Sequence, residues 1–148
     1  MTRVVFYLLA SDSDRDRQVF ACRLAEKAYR AGHKVFMHTD SDMQSQTVDD
    51  LLWTFRAGSF VPHARLNDTP PSPDQAVLIG CRAAPPDWRG IVINLSPACP
   101  PELDRLGRIL EILERGEESR QAGRARYRKY QQMDFDLETH DMTAQDQV

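Results

Sequence analysis

Glycine is scarce in this chain and nowhere set for phosphate chemistry. Seven glycines occur in 148 residues, and neither G-x-G-x-x-G nor G-x-x-x-x-G-K-[ST] is present, so no local motif brings successive backbone amides against a phosphate. Cysteine is equally sparse. Cys22, Cys81 and Cys99 are odd in number and far apart, with no C-x-x-C pair; that removes a zinc knuckle or a redox motif and fits a reduced, cytoplasmic setting. No apolar run reaches 18 residues, and no charged segment followed by an apolar one opens the chain, so neither membrane spanning nor secretion is expected. An excess of positive charge is also missing. With 19 basic against 22 acidic side chains and a net charge of -3, the surface as a whole attracts neither nucleic acid nor anionic lipid, and any link to DNA is local or indirect.

What is present is an ordinary globular composition. A single domain of this length buries roughly two thirds of the surface its unfolded chain exposes, enough for a core without disulfides or metals. Residues 3–9 form a near-continuous β-branched and aromatic run, as a strand buried on both faces requires. Ser11-Asp12-Ser13-Asp14 then supplies helix-capping side chains, and residues 14–31 carry Phe20, Leu24 and Ala28 at four-residue spacing before Gly32 stops the helix. Residues 34–38 read as a second strand. Thr39-Asp40-Ser41-Asp42 offers caps for a second helix, and the proline-rich residues 67–74 read as an exposed loop. Residues 76–80 and 90–95 are further short buried strands. Pro100-Pro101 opens a predicted helix to about residue 115, on which Leu103, Leu106, Leu110 and Leu113 form a stripe. Strands alternating with helices predict a three-layer α/β/α sandwich with a mostly parallel central sheet. Residues 1–137 make that domain, and residues 138–148, poor in apolar side chains, read as an acidic, disordered tail.

Two stretches carry more than a fold needs. Val48, Leu51, Leu52 and Phe55 sit on one helical stripe, and Trp53 points well over 90° away from it, so it packs a second neighbour or faces water. Phe60 lies beyond the helix stop at Gly58, in what reads as a surface connection. Two aromatics near a helix end suggest a docking surface. Near the C-terminus, Arg120, Arg124, Tyr127, Arg128 and Gln131 share one helical face, which sets guanidinium groups beside a ring as a pocket for a carboxylate with an apolar neighbour. By composition alone such a face is usually only solvated.

Catalytic candidates are weaker. Asp12 and Asp14 after the first strand and Asp40 and Asp42 after the second are placed to meet at adjacent strand ends and hold Mg²⁺ for phosphoryl transfer, but helix caps and first-turn anions explain all four. Cys22 and Cys81 read as packing residues. His63 reads as a hydrogen-bonded loop histidine rather than a general base, for want of a partner at a recognisable spacing. No catalytic residue, metal ligand or cofactor is assigned.

Phe6-Tyr7-Leu8-Leu9, Leu52-Trp53 followed by Ser59-Phe60-Val61-Pro62-His63, and Arg124-x-Arg126-Tyr127-Arg128-x-Tyr130 with Phe135 occur in that order. Together they resemble the chi subunit of bacterial DNA polymerase III holoenzyme over about residues 1–137. The resemblance implies a nucleotide-binding-like fold without a phosphate loop, and a polymerase label held by membership of the holoenzyme rather than by catalysis. It implies a clamp-loader adaptor in DNA replication. Trp53 and Phe60 would face the small psi subunit, or a helicase-like repair protein in some relatives. Arg124, Tyr127 and Arg128 would hold the acidic C-terminal tail of single-strand DNA-binding protein. Gln131 departs from the family's pattern, where a basic residue often stands, and this puts the strength of tail binding in question. The adaptor reading calls for aromatic and arginine patches; the Mg²⁺-enzyme reading calls for a carboxylate cluster with a lysine or histidine reaching it.

Overall fold

A computed structural model describes residues 2–143. Among them are seven strands and three α-helices: β1 (Arg3–Leu8), α1 (Asp14–Arg30), β2 (Val35–His38), α2 (Asp42–Thr54), β3 (His63–Arg65), β4 (Val77–Gly80), β5 (Ile91–Asn94), β6 (Arg108–Leu113), α3 (Glu117–Gln132) and β7 (Asp136–Asp141). The strands form one all-parallel sheet in the order β3-β4-β2-β5-β6-β1-β7. Strand alternation divides the core in two. Val5, Met37, Ile79, Ile93 and Ile112 point to the face covered by α1 and α2, while Val4, Phe6, Phe36, Leu78 and Ile109 point to the face covered by α3 and two single 3₁₀ turns, Pro86–Trp88 and Leu103–Arg105. The α/β/α sandwich is therefore as the element pattern predicts. Ser13 and Ser41, rather than the neighbouring aspartates, are the N-caps, accepting from Asp16 N and Gln44 N.

The predicted helix over residues 100–115 does not form. Glu102 sits in the left-handed region (φ 55°), one 3₁₀ turn follows, and the chain then enters β6 between β1 and β5. The alternating three- and four-residue spacing of the leucines is coincidental. Five of the six β6 residues are buried on a strand covered on both faces, and Gly107 lets the β6 entrance approach β5 so closely that a Cβ there would stand 2.9 Å from Gly90 O. What hides the strand in the sequence is Glu111, a carboxylate with no exposed surface in the middle of it.

The chain also stays ordered past the expected tail boundary. Residues 138–141 complete β7, which pairs with β1 along its whole length, Glu138 beside Val5 and His140 beside Tyr7. Leu137 packs on the core, but residues 138–141 are held by backbone pairing and the Arg3–Glu138 ion pair (2.9 Å), so a reading based on hydrophobicity places the end of the domain too early. The rest of the predicted tail, residues 144–148, lies outside the described residues. Strand β3, an edge strand of three residues paired with β4, begins at His63, which the sequence places in a loop.

Candidate functional site

The inner face of α2 buries Val48, Leu51 and Leu52, which fixes Trp53 on the outside with 58% of its surface exposed. Phe60 is 62% exposed. The structure brings the two together, ring centroids 5.8 Å apart, with His63 also against the indole at 4.7 Å in an edge-on arrangement. The support beneath is polar. Glu26, on α1 and 11% exposed in its side chain, accepts from Arg56 Nη2 at 2.7 Å and from Ser59 Oγ, and Arg30 lies 3.5 Å away. The segment carrying Phe60 is thus tied to α1. The Arg56 hydrogen bond, helped by that from Ser59, holds the Glu26 carboxyl below its ordinary value. On the other side His63 Nδ1 donates to Val61 O at 2.7 Å, and Nε2 lies 2.9 Å from Asp49 Oδ1 without hydrogen-bond geometry. His63 is hydrogen-bonded, as expected, but at the start of a strand.

The second region lies where α3 crosses β1, β6 and β7. Gly123 admits the crossing, since a Cβ there would stand 2.5 Å from a Leu113 methyl. Beside it a cavity of about 200 Å³ opens, walled by Phe6, Leu8, Leu113 and the ring of Tyr127, with Arg120 and Arg124 at its mouth. Tyr127 is held against Phe6 at a centroid distance of 5.4 Å. Arg124 reaches Glu117 Oε1 at 2.8 Å in an exposed pair; Arg120 is tied to the backbone through Glu114 O (2.7 Å) and Leu9 O (3.4 Å). Arg124 and Tyr127 therefore share a cavity as the helical spacing implies. Arg128 is exposed and lies outside its lining, because the cavity faces the i, i+3, i+4, i+7 row of Arg120, Gly123, Arg124 and Tyr127. Thr139 of β7 completes the wall, a residue hidden to a reading that ends the domain at 137.

The same helix holds a buried charge cluster that the sequence reading missed. Arg126 Nε donates to Glu111 Oε1 at 3.0 Å, and Tyr130 Oη (2.5 Å) and Asn94 Nδ2 (2.9 Å) donate to Oε2. Burial pushes the Glu111 carboxyl above its ordinary value, yet all three partners are donors, so the anion is the form they select. Burial also pushes the Tyr130 hydroxyl far up, which keeps it protonated as the donor. A glutamate interrupting an apolar strand run, with arginine and tyrosine four apart on the next helix, is the signal that was available.

The carboxyl ends of the strands, where a nucleotide fold binds its ligand, are filled differently. A cleft of about 480 Å³ there contains Asp14, Asp40 and Glu114, but Arg17 spans it, 3.0 Å from Glu114 Oε1, 3.1 Å from Asp14 Oδ1 and 3.2 Å from Leu95 O. Gln18 takes the other Asp14 oxygen, and Asp42 lies beside Cys81. Asp12, Asp14, Asp40 and Asp42 do not converge: among the described residues no group of three His, Cys, Asp or Glu side chains is placed to hold a metal ion. Cys22 is buried, its thiol pushed up to about 12 by desolvation. Cys81 is exposed, contrary to the packing role expected of it. Among the described residues no helix is long and apolar enough to cross a membrane.

A family model described as DNA polymerase III chi subunit, HolC, matches residues 1–138. The chain belongs to the chi subunit family. Relatives called DNA polymerase III subunit chi include one from Pseudomonas aeruginosa, 34% identical over 95% of this chain and 96% of the relative. Others come from Haemophilus influenzae, 25% identical over 93% and 95%, and from Escherichia coli K12, 24% identical over 94% and 97%. As a chi-family protein it is a DNA replication subunit of DNA polymerase III, and membership of that complex implies protein partners.

Proposed function

We propose that this chi-family chain is a non-catalytic adaptor of the clamp-loader complex, joining it through psi to the C-terminal tail of single-strand DNA-binding protein. The observation that carries this reading is the α3 cavity: an apolar hole sized for one aromatic side chain, with two guanidinium groups at its mouth, suits a C-terminal phenylalanine and its carboxylate. Arg124 and Tyr127 are its central contacts, and Arg128 adds charge from outside. Trp53 and Phe60 serve as the psi anchor; a helicase-like repair protein, where present, competes for the same rings. DNA is reached only through the protein that coats it. An acidic peptide ending in a free Pro-Phe carboxylate, titrated calorimetrically, tests the cavity. Capping that terminus as an amide is expected to cost about 1.5 to 3 kcal/mol, the range for a hydrogen bond to a charged group. Equal binding of acid and amide rejects the assignment.

A further inference from the structure

The two helices on the first face of the sheet leave part of it open. α1 packs chiefly on β6 and β2, and α2 on β3 and β4, so toward the β1–β7 edge a groove remains between the C-terminal half of α1 and the sheet, with a volume of about 270 Å³. Its floor and wall are apolar: Val5, Leu110, Ile91 and Leu24. Its rim is cationic. Arg3, Lys27 and Arg108 surround it with His33 beside them, against the single carboxylate of Glu138, which is already taken up by Arg3 at 2.9 Å and His140 at 2.7 Å. Among the described residues Lys27 and Arg108 have no side-chain hydrogen bond or ion pair. The chain has more carboxylates than basic side chains, so two unmatched cations over an apolar floor mark a place where charge complementarity is left for another molecule.

We propose that this groove is a second peptide-docking site, taking an acidic segment whose one aliphatic side chain enters the floor while flanking carboxylates meet Lys27 and Arg108. The volume lies just below the roughly 300 Å³ at which small-molecule pockets begin and suits a side chain. A nucleic-acid strand fits less well, because strand binding depends on bases stacking on free aromatic faces. The tyrosine in the groove, Tyr7, is already flanked by Phe20 at 5.3 Å and stacked on His140 at 5.4 Å, and His33 stands at the rim rather than on the floor. The site is independent of the α3 cavity: it lies on the opposite face of the sheet and needs no free C-terminus.

The test uses the full chain and a fluorescein-labelled peptide blocked at both ends, acetyl-Asp-Asp-Leu-Asp-Asp-amide, followed by fluorescence anisotropy. Saturable binding is expected, weakened about tenfold by Arg108→Glu, as for loss of a charge-assisted contact. Replacing the peptide's leucine with glycine should also weaken it, and Arg124→Ala should leave it unchanged. Lys27→Glu, at an exposed helix position, repeats the test should Arg108→Glu melt early. Undiminished binding to both charge-reversed variants overturns the proposal. So does no binding below roughly 1 mM, loss of binding in Arg124→Ala, or displacement of the peptide by an oligothymidylate at equal concentration.

Discussion

Trp53 and Phe60, the anchor proposed for psi, are separated from the core by their exposure. With more than half of each residue's surface exposed, Trp53→Ala or Phe60→Ala is expected to leave the melting temperature nearly unchanged while costing at least ~2 kcal/mol of binding to the proposed psi partner in calorimetry, as interface anchors do. A buried aromatic cut to alanine costs roughly 3 to 5 kcal/mol of stability instead, so a large fall in melting temperature for Trp53→Ala would return that residue to the core. Glu26 acts one layer beneath. Its carboxyl is held below the ordinary 4.5 mainly by the Arg56 hydrogen bond. A group depressed in the folded state contributes stability above its unfolded value and loses it as pH falls through the folded one. The melting-temperature gap between wild type and Glu26→Gln should therefore be widest near neutral pH and close as the pH is taken below 4.5. A gap that persists in acid would assign the effect to side-chain packing.

At the scale of elements, the joint between β6 and α3 rests on the Glu111–Arg126 pair. Removing one member strands the other charge in the interior, at about 3 to 5 kcal/mol, whereas replacing both with apolar side chains of similar volume is often neutral or better. Glu111→Leu and Arg126→Met should each lower stability sharply in urea unfolding, and the double variant should be more stable than either single one. Additive losses would mean that the two residues contribute separately. The pair also explains why β6 was misread and α3 only half read. Its strand run looks interrupted and its leucines fall on a helical period by chance, while the residue that makes the interruption tolerable is 15 positions away on another element. Arg126 within the arginine-rich run is indistinguishable by type from Arg124 and Arg128; only the crossing of α3 over the sheet decides which guanidinium is buried.

For the whole molecule, charge and topology point the same way. The net charge is -3, and the basic side chains of α3 are partly spent on Glu111, Glu117 and backbone carbonyls. Single-stranded DNA should accordingly bind no more tightly than ~10⁻⁴ M at physiological salt, the weak end of non-specific binding, and more weakly still as salt rises. Anisotropy with a labelled oligothymidylate checks this, and submicromolar binding would make DNA a direct partner.

The sequence alone determined the layered α/β/α class, because β-branched runs alternating with capped helical stripes admit few other arrangements. It also determined that Trp53 stands off its helix stripe and that Arg124 and Tyr127 share a face. These are local properties, set by a period of two or 3.6 residues. Tertiary structure decided the rest. It gave β6 and β7 their strand state by pairing both with β1, set Phe60 and His63 against Trp53 from a separate segment, drew Phe6, Leu113 and Thr139 around Tyr127, and buried Arg126 rather than its neighbours. In each case the deciding energy lies in contacts between residues far apart in the chain, which no local period encodes.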